Sequence, residues 1–414
     1  MRQLLLISTA VLTLTVAHNS TIAQGTWTQK ADFGSGKTQS AVAFSIGNKG
    51  YVGTGIDSIN QYTNHFWEWD QSTDIWTQKS DFGGSARNRA TGFSIGTKGY
   101  IGTASGNSPD DFWEWDQVTN IWTQRANFVG ADRESAVGFS IGTKGYIGTG
   151  YASTGLANDF WEWNQSTNTW TQKANFPGTA RKYAVGFSIG TKGYIGVGAT
   201  NSVMFNDFWE WNQATNTWTQ KANFGGNARE LAIGFSIGTK GYIGLGGVPG
   251  PGYYNDFWEW NQTTNTWTQK TNFPPIGRHW GIGFSIGTKG YAGMGQSGIG
   301  IYNKDFWEFD PNASGINESQ NKISISIFPN PFSTQTTLQT DRFFKNASLT
   351  VYNSFGQTVK QIKNINGQTV TFSRDNLASG LYFIALSLNP SPNGGGTQGG
   401  GGEVIATGKL VVSE

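Results

Sequence analysis

Once the apolar leader is set aside, two histidines, His65 and His279, and no cysteine are left for chemistry. Without thiols the chain can build no disulfide, no thiolate metal site and no cysteine nucleophile. The two histidines show neither His-x-x-x-His spacing nor a Ser-His-Asp order, so no triad, metal site or cofactor is expected of them. Glu134 and Glu230 are a pair of carboxylates of the kind that could act on a glycosidic bond. Five arginines recur at fixed places, Arg87, Arg133, Arg181, Arg229 and Arg278. Five aspartates do the same, Asp111, Asp159, Asp207, Asp256 and Asp305. Groups that recur this regularly are expected to pair with one another, as two-pronged guanidinium–carboxylate contacts, before they serve a ligand. The dipeptides just after each arginine differ: Asn88-Arg89, Glu134-Ser135, Lys182-Tyr183, Glu230-Leu231 and His279-Trp280. These are the better candidates for binding.

The regularity comes from an internal repeat. The Trp that opens each Trp-Glu-Trp or Trp-Glu-Phe triplet stands at 67, 113, 161, 209, 258 and 307, with steps of 46, 48, 48, 49 and 49. A period in this range indicates a propeller, solenoid or array. Each unit reads as four short strands, as in Ala184–Ile189, Tyr194–Gly198, Asp207–Trp211 and Thr217–Lys221, with tight turns such as Gly190-Thr-Lys-Gly193. Four antiparallel strands per unit predict a propeller blade. The sixth triplet has no Trp-Thr-Gln after it, whereas Thr26-Trp-Thr-Gln-Lys30 precedes the first triplet unpartnered. The N-terminal strand is therefore expected to complete a sixth blade and close the ring. Of 18 tryptophans, 17 fall in three repeating slots, which assigns them to packing between blades; Trp280 falls in none.

Strand alternation puts the constant turns on one face and the variable loops, with the Arg and Asp positions, on the other. Blade one lacks both partners, since Thr38 and His65 occupy those slots. The variable face is the binding candidate. Its proposed ligand residues are Arg89, Glu134, Lys182, Tyr183, Glu230, His279 and Trp280 near the axis, with the loop aromatics Tyr253 and Tyr254. Rigid aromatics beside polar groups suit sugar stacking or a protein interface.

With Gly-Tyr-Ile-Gly, Asp-Phe-Trp-Glu-Trp and Thr-Asn-Thr-Trp in each unit, residues 26 to 310 resemble Kelch repeats. The family's double glycine appears in full only as Gly246-Gly247. The resemblance implies a six- or seven-bladed propeller, and among its members are binding modules, scaffolds and enzymes acting on sugars, so it leaves the function open. Copper oxidases of this class need a Cys-linked Tyr, which cannot form here. The first expectation is a binding module for a glycan or a surface protein. The alternatives are a carbohydrate-modifying enzyme, sialic-acid-mutarotase-like, and a purely structural surface protein. An enzyme should gather immobilised charges around Glu134, Glu230 and His279.

Net charge is +2, which offers nothing for nucleic acid. Residues 1–23 read as a secretory signal peptide, with Arg2, an apolar run from Leu4 to Ala17 and Thr21-Ile-Ala23 before the cut. No later stretch is apolar enough for a transmembrane segment. The propeller is expected over 24–310 and a polar linker over 311–322. A small Ig-like β-sandwich follows over 323–414. Ile327-Phe-Pro-Asn-Pro331, Val351-Tyr-Asn-Ser-Phe-Gly356, Leu377-Ala-Ser-Gly-Leu-Tyr382 and Lys409-Leu-Val-Val412 resemble the C-terminal sorting domain of the type IX secretion system of Bacteroidota. That resemblance implies secretion machinery as a partner and a secreted or outer-surface location. Asn389–Gly402 reads as a Pro/Gly-rich insertion at a hairpin tip.

Overall fold

A computed structural model describes residues 24–104, 110–250, 252–313, 325–388 and 403–413. The proposed signal peptide, most of the linker and the Pro/Gly-rich insertion lie outside the described residues. The chain divides into two compact units, Met1–Ser314 and Gly315–Glu414.

Among the described residues the first unit holds six four-stranded antiparallel sheets, one per repeat. Blade four is typical: Val185–Ile189 innermost, then Lys192–Gly196, Phe208–Asn212 and Thr217–Gln220. The first two strands join through the two-residue turn Gly190-Thr191, and Gly190 supplies the φ of +57° that a tight hairpin needs. Alternation along the inner strand buries Val185, Phe187 and Ile189. The sixth sheet consists of Ile282–Ile286, Lys289–Gly293, Phe306–Asp310 and, outermost, the N-terminal strand Thr26–Lys30. Thr26 lies opposite Asp310 and Lys30 opposite Phe306. The fold is a six-bladed Kelch-type propeller closed by its N-terminal strand.

Aromatic rings join blade to blade. Trp115 and Trp122 face each other across strands of blade two, and Phe66 of blade one packs edge-on against both, at 5.0 and 5.1 Å. The same contacts repeat around the ring. At closure, Phe306 of blade six meets Trp69 and Trp76 of blade one, and Trp27 meets Phe257 and Phe273 of blade five. Spacing between blades is set by glycine: a Cβ on Gly193 would stand 2.4 Å from the Phe139 ring of the preceding blade.

Polar latches use the remaining repeated residues. Tyr100 donates to Glu114 within its blade at 2.7 Å, and Gln165 of the next blade donates to the Tyr100 hydroxyl at 2.7 Å. Asn120 accepts from Trp115 of its own blade and from the backbone of Ser80 in the preceding one. The Trp-Glu-Trp glutamates are thus committed to the scaffold.

The second unit is a five-stranded antiparallel sheet. The long strand Gln335–Tyr352 pairs with Thr358–Ser373 along most of its length. Its first half also pairs with Ile325–Phe328 and its second half with Gly380–Leu388, which in turn pairs with Glu403–Val412. Register shifts bend the long strands, and Phe332 bridges in parallel to Val412, so the expected sandwich is realised as one barrel-like sheet. Phe332, Leu349, Phe372, Ile384 and Leu410 fill it. Asn330 of the Phe-Pro-Asn-Pro motif holds the terminal strand: its amide oxygen accepts from Val411 N at 2.8 Å and its amide nitrogen donates to Lys409 O at 3.0 Å.

Candidate functional site at the channel mouth

Each inner strand is preceded by one non-glycine residue in the left-handed region. These residues are Ser40, Arg89, Ser135, Tyr183, Leu231 and Trp280, with φ between 53° and 61°. Such a conformation is uncommon for bulky side chains and costs on the order of 1–3 kcal/mol each. It persists because the six are linked from blade to blade. Arg89 N donates to Ser40 O, Ser135 N to Arg89 O, Tyr183 N to Ser135 O, Leu231 N to Tyr183 O, and Ser40 N to Trp280 O. These five backbone hydrogen bonds draw the six residues into a ring around the axis. Their side chains, with the alanines or glycine that follow them, line a cavity of about 130 Å³ at the mouth of the central channel.

The mouth is chemically lopsided. Arg89 donates to Glu134 at 2.7 Å, and its guanidinium carbon lies 5.7 Å from the Tyr183 ring and 5.8 Å from the Trp280 ring. Both distances are within reach of a cation–π contact. Arg89 Nε and Trp280 Nε1 are buried and have no hydrogen-bond partner among the described residues. Buried donors are rarely left unpaired, because each forfeits a hydrogen bond it would make in water. Burial raises the Tyr183 hydroxyl above its ordinary range, opposed by the Arg89 charge.

The dipeptides after the arginines split by position. The second members line the mouth. The first members pair by backbone with the variable loops: Glu134 with Tyr151, Lys182 with Ala199, Glu230 with Gly247 and His279 with Gln296. Lys182 and Glu230, together with Tyr183, line a separate groove of about 200 Å³ that also includes Asn201, Val203, Met204 and Pro249. His279 is buried against Tyr253, with ring centres 4.3 Å apart. Burial lowers its pKa below the ordinary histidine value, opposed by the Gly252 carbonyl. Tyr254 stacks over Arg229 at 4.7 Å, away from the mouth. Glu134, Glu230 and His279 therefore occupy three different settings.

The repeated Arg and Asp residues pair within blades two to six. Arg181 donates to both carboxylate oxygens of Asp207 and, at 2.9 Å, to the Val197 carbonyl. Trp209 Nε1 donates to the same Asp207, and the Phe176 and Phe205 rings flank the guanidinium at 4.9 and 4.1 Å. Arg87–Asp111, Arg133–Asp159, Arg229–Asp256 and Arg278–Asp305 form the equivalent pairs. In blade one, where His65 replaces the aspartate, Trp67 Nε1 is left without a partner among the described residues.

Sequence reasoning placed Ser135 and Leu231 among the dipeptides near the axis but missed Ser40 as a mouth residue. The signal was present: Ser40 stands four residues before the first-strand Phe44, on the register of Arg89, Tyr183 and Trp280. Left-handed backbone at non-glycine residues has no marker in composition.

The sheets and their closure define a Kelch-type β-propeller. The solved structure of YjhT superposes with a TM-score of 0.57 at 15% identity, covering 67% of this chain and 96% of that chain. As 679 solved chains match this one, the likeness describes an architecture and not an activity. Residues 326–391 match the family of the secretion system C-terminal sorting domain, so this propeller carries a type IX export signal. No curated protein matches the chain. No helix among the described residues is long and apolar enough to cross a membrane.

Proposed function

We propose that this exported propeller is a glycan-binding module whose site is the channel mouth. One observation carries the reading: Arg89 lies between the Tyr183 and Trp280 rings, and Arg89 Nε and Trp280 Nε1 are left without partners. Aromatic faces stack on the apolar faces of a sugar, and unpaired donors take its ring or hydroxyl oxygens. The alternatives weighed on sequence, a mutarotase-like enzyme and a purely structural protein, find less support. The three groups an enzyme would gather are apart, and a purely structural role gives no use to the Arg89 and Trp280 side chains at the mouth. Export through a signal peptide to the cell surface or medium completes the reading.

Calorimetric titration of the full chain against a panel of defined glycans tests it. Trp280→Ala should weaken the interaction about tenfold or more, corresponding to one lost stacking contact of about 1.4 kcal/mol. Unchanged affinity in that variant, with its fold intact by circular dichroism, would remove the mouth as the site.

A further inference from the structure

The mouth and the groove share one residue. Tyr183 lines the axial cavity through its place in the six-membered ring, and it also lines the groove beside Lys182 and Glu230. Resting on the glycan reading above, we infer that the ligand is an extended sugar chain, with one unit in the mouth and the next in the groove over Tyr183.

The groove has the composition of a subsite. Lys182 donates through Nζ to Asn201 Oδ1 at 3.0 Å and sits 5.2 Å from each of the Tyr151 and Tyr183 rings, so its position is fixed. Glu230 is half-buried and forms no ion pair among the described residues; the nearby Lys182 charge only partly offsets its burial, which raises its pKa. A carboxylate in this setting needs hydrogen-bond donors, and the neighbouring hydroxyls of a sugar ring supply two at once. Met204, Val203 and Pro249 add the apolar surface that the ring face requires. The two subsites differ in kind, an ion-paired arginine between two aromatic rings at the mouth, and in the groove Lys182 and Glu230, outside any ion pair among the described residues, beside aliphatic surface, so adjacent units of one chain are read by different chemistry.

Chain length is the discriminating variable. The probes are β-1,4-linked oligomers of glucose, N-acetylglucosamine, xylose and galacturonic acid at one to four units, titrated calorimetrically against the full chain. Affinity should rise about tenfold from one unit to two and then level off. Glu230→Gln and Lys182→Met should abolish that rise while leaving single-unit affinity unchanged; Trp280→Ala should lower both. Equal affinity at all lengths would overturn the two-subsite inference and leave the mouth site standing. Loss of single-unit affinity in Glu230→Gln would do the same, by making the groove part of one site. No binding by any sugar at any length would overturn the glycan reading together with this one. A rise seen with the galacturonic acid oligomers alone and lost in high salt would trace it to ion pairing with Lys182 and would also sink the inference.

Discussion

Two titratable side chains on the variable face respond to pH in opposite senses. Burial holds the His279 imidazole below its ordinary value of 6.5, so the unfolded chain takes up the proton first as pH falls. Its contribution to stability is therefore complete above about pH 6.5 and is lost as pH falls below that value toward the folded pKa. Burial raises the Glu230 carboxyl above 4.5, so the folded chain prefers the neutral acid. That contribution is present at low pH and is lost as pH rises through the folded value. Melting temperatures at pH 5, 6, 7 and 8 should separate the two. Relative to the wild type, His279→Gln should be least stable at pH 8 and should close the gap toward pH 5. Glu230→Gln should match or exceed the wild type at pH 7 and above. A Glu230→Gln variant that melts well below the wild type at pH 7 would show that the carboxylate is structural, and the groove would lose its functional reading.

The blade is the unit at which the repeated charges act. The Arg181 side chain is fully buried, and its compensation is the Asp207 carboxylate, the Val197 carbonyl and two aromatic faces. Taking the charge from one partner leaves the other uncompensated, which costs about 3–5 kcal/mol, whereas replacing both with apolar groups costs much less. Asp207→Asn should thus destabilise by about 3 kcal/mol in urea unfolding, and Arg181→Met combined with Asp207→Leu should restore part of that loss. Blade one supports the argument, since it forms its four strands with Thr38 and His65 in the two slots. These elements were legible in the sequence because repetition states them five or six times over: the strand pattern, the tryptophan slots and the paired charges could all be checked against sister units. The channel mouth was only half legible. Arg89, Tyr183 and Trp280 attracted notice by type, but Lys182, Glu230 and His279, one residue earlier, were assigned to the same pocket. A single left-handed residue at the start of each inner strand separates the two sets, and periodicity carries no trace of it.

At the scale of the whole propeller, closure depends on one short strand. Thr26–Lys30 is the outer edge of blade six, and its Trp27 packs at 5.0–5.1 Å against Phe309 of its own blade and Phe257 and Phe273 of blade five. Trp27 Nε1 also donates to the Thr271 carbonyl at 3.0 Å, across the joint between blades five and six. That joint is tied differently from the others: Thr271 donates through its backbone N–H to Gln24 O and through its hydroxyl to Gly25 O. Pro311 stands where blades one to five carry the glutamine that reaches back to the preceding tyrosine, so Tyr242 keeps only its contact with Glu259. The aromatic cluster and the Thr271 hydrogen bonds hold the closure together. Trp27→Ala should cost about 3 kcal/mol, in the range for removing a large aromatic from a packed site. Removing residues 24–30 should do more than subtract that amount. It would expose the Phe309 and Phe257 rings and leave Phe306–Asp310 as an unpaired strand edge, a template for association with another chain. Light scattering should then show oligomers of the truncated chain at concentrations where the full chain is monodisperse. A synthetic peptide spanning residues 24–31 should reverse the association by refilling the edge. A truncated chain that melts within about 1 kcal/mol of the wild type and stays monodisperse would show that five complete blades and an open sixth suffice, and that the ring does not need its N-terminal strand.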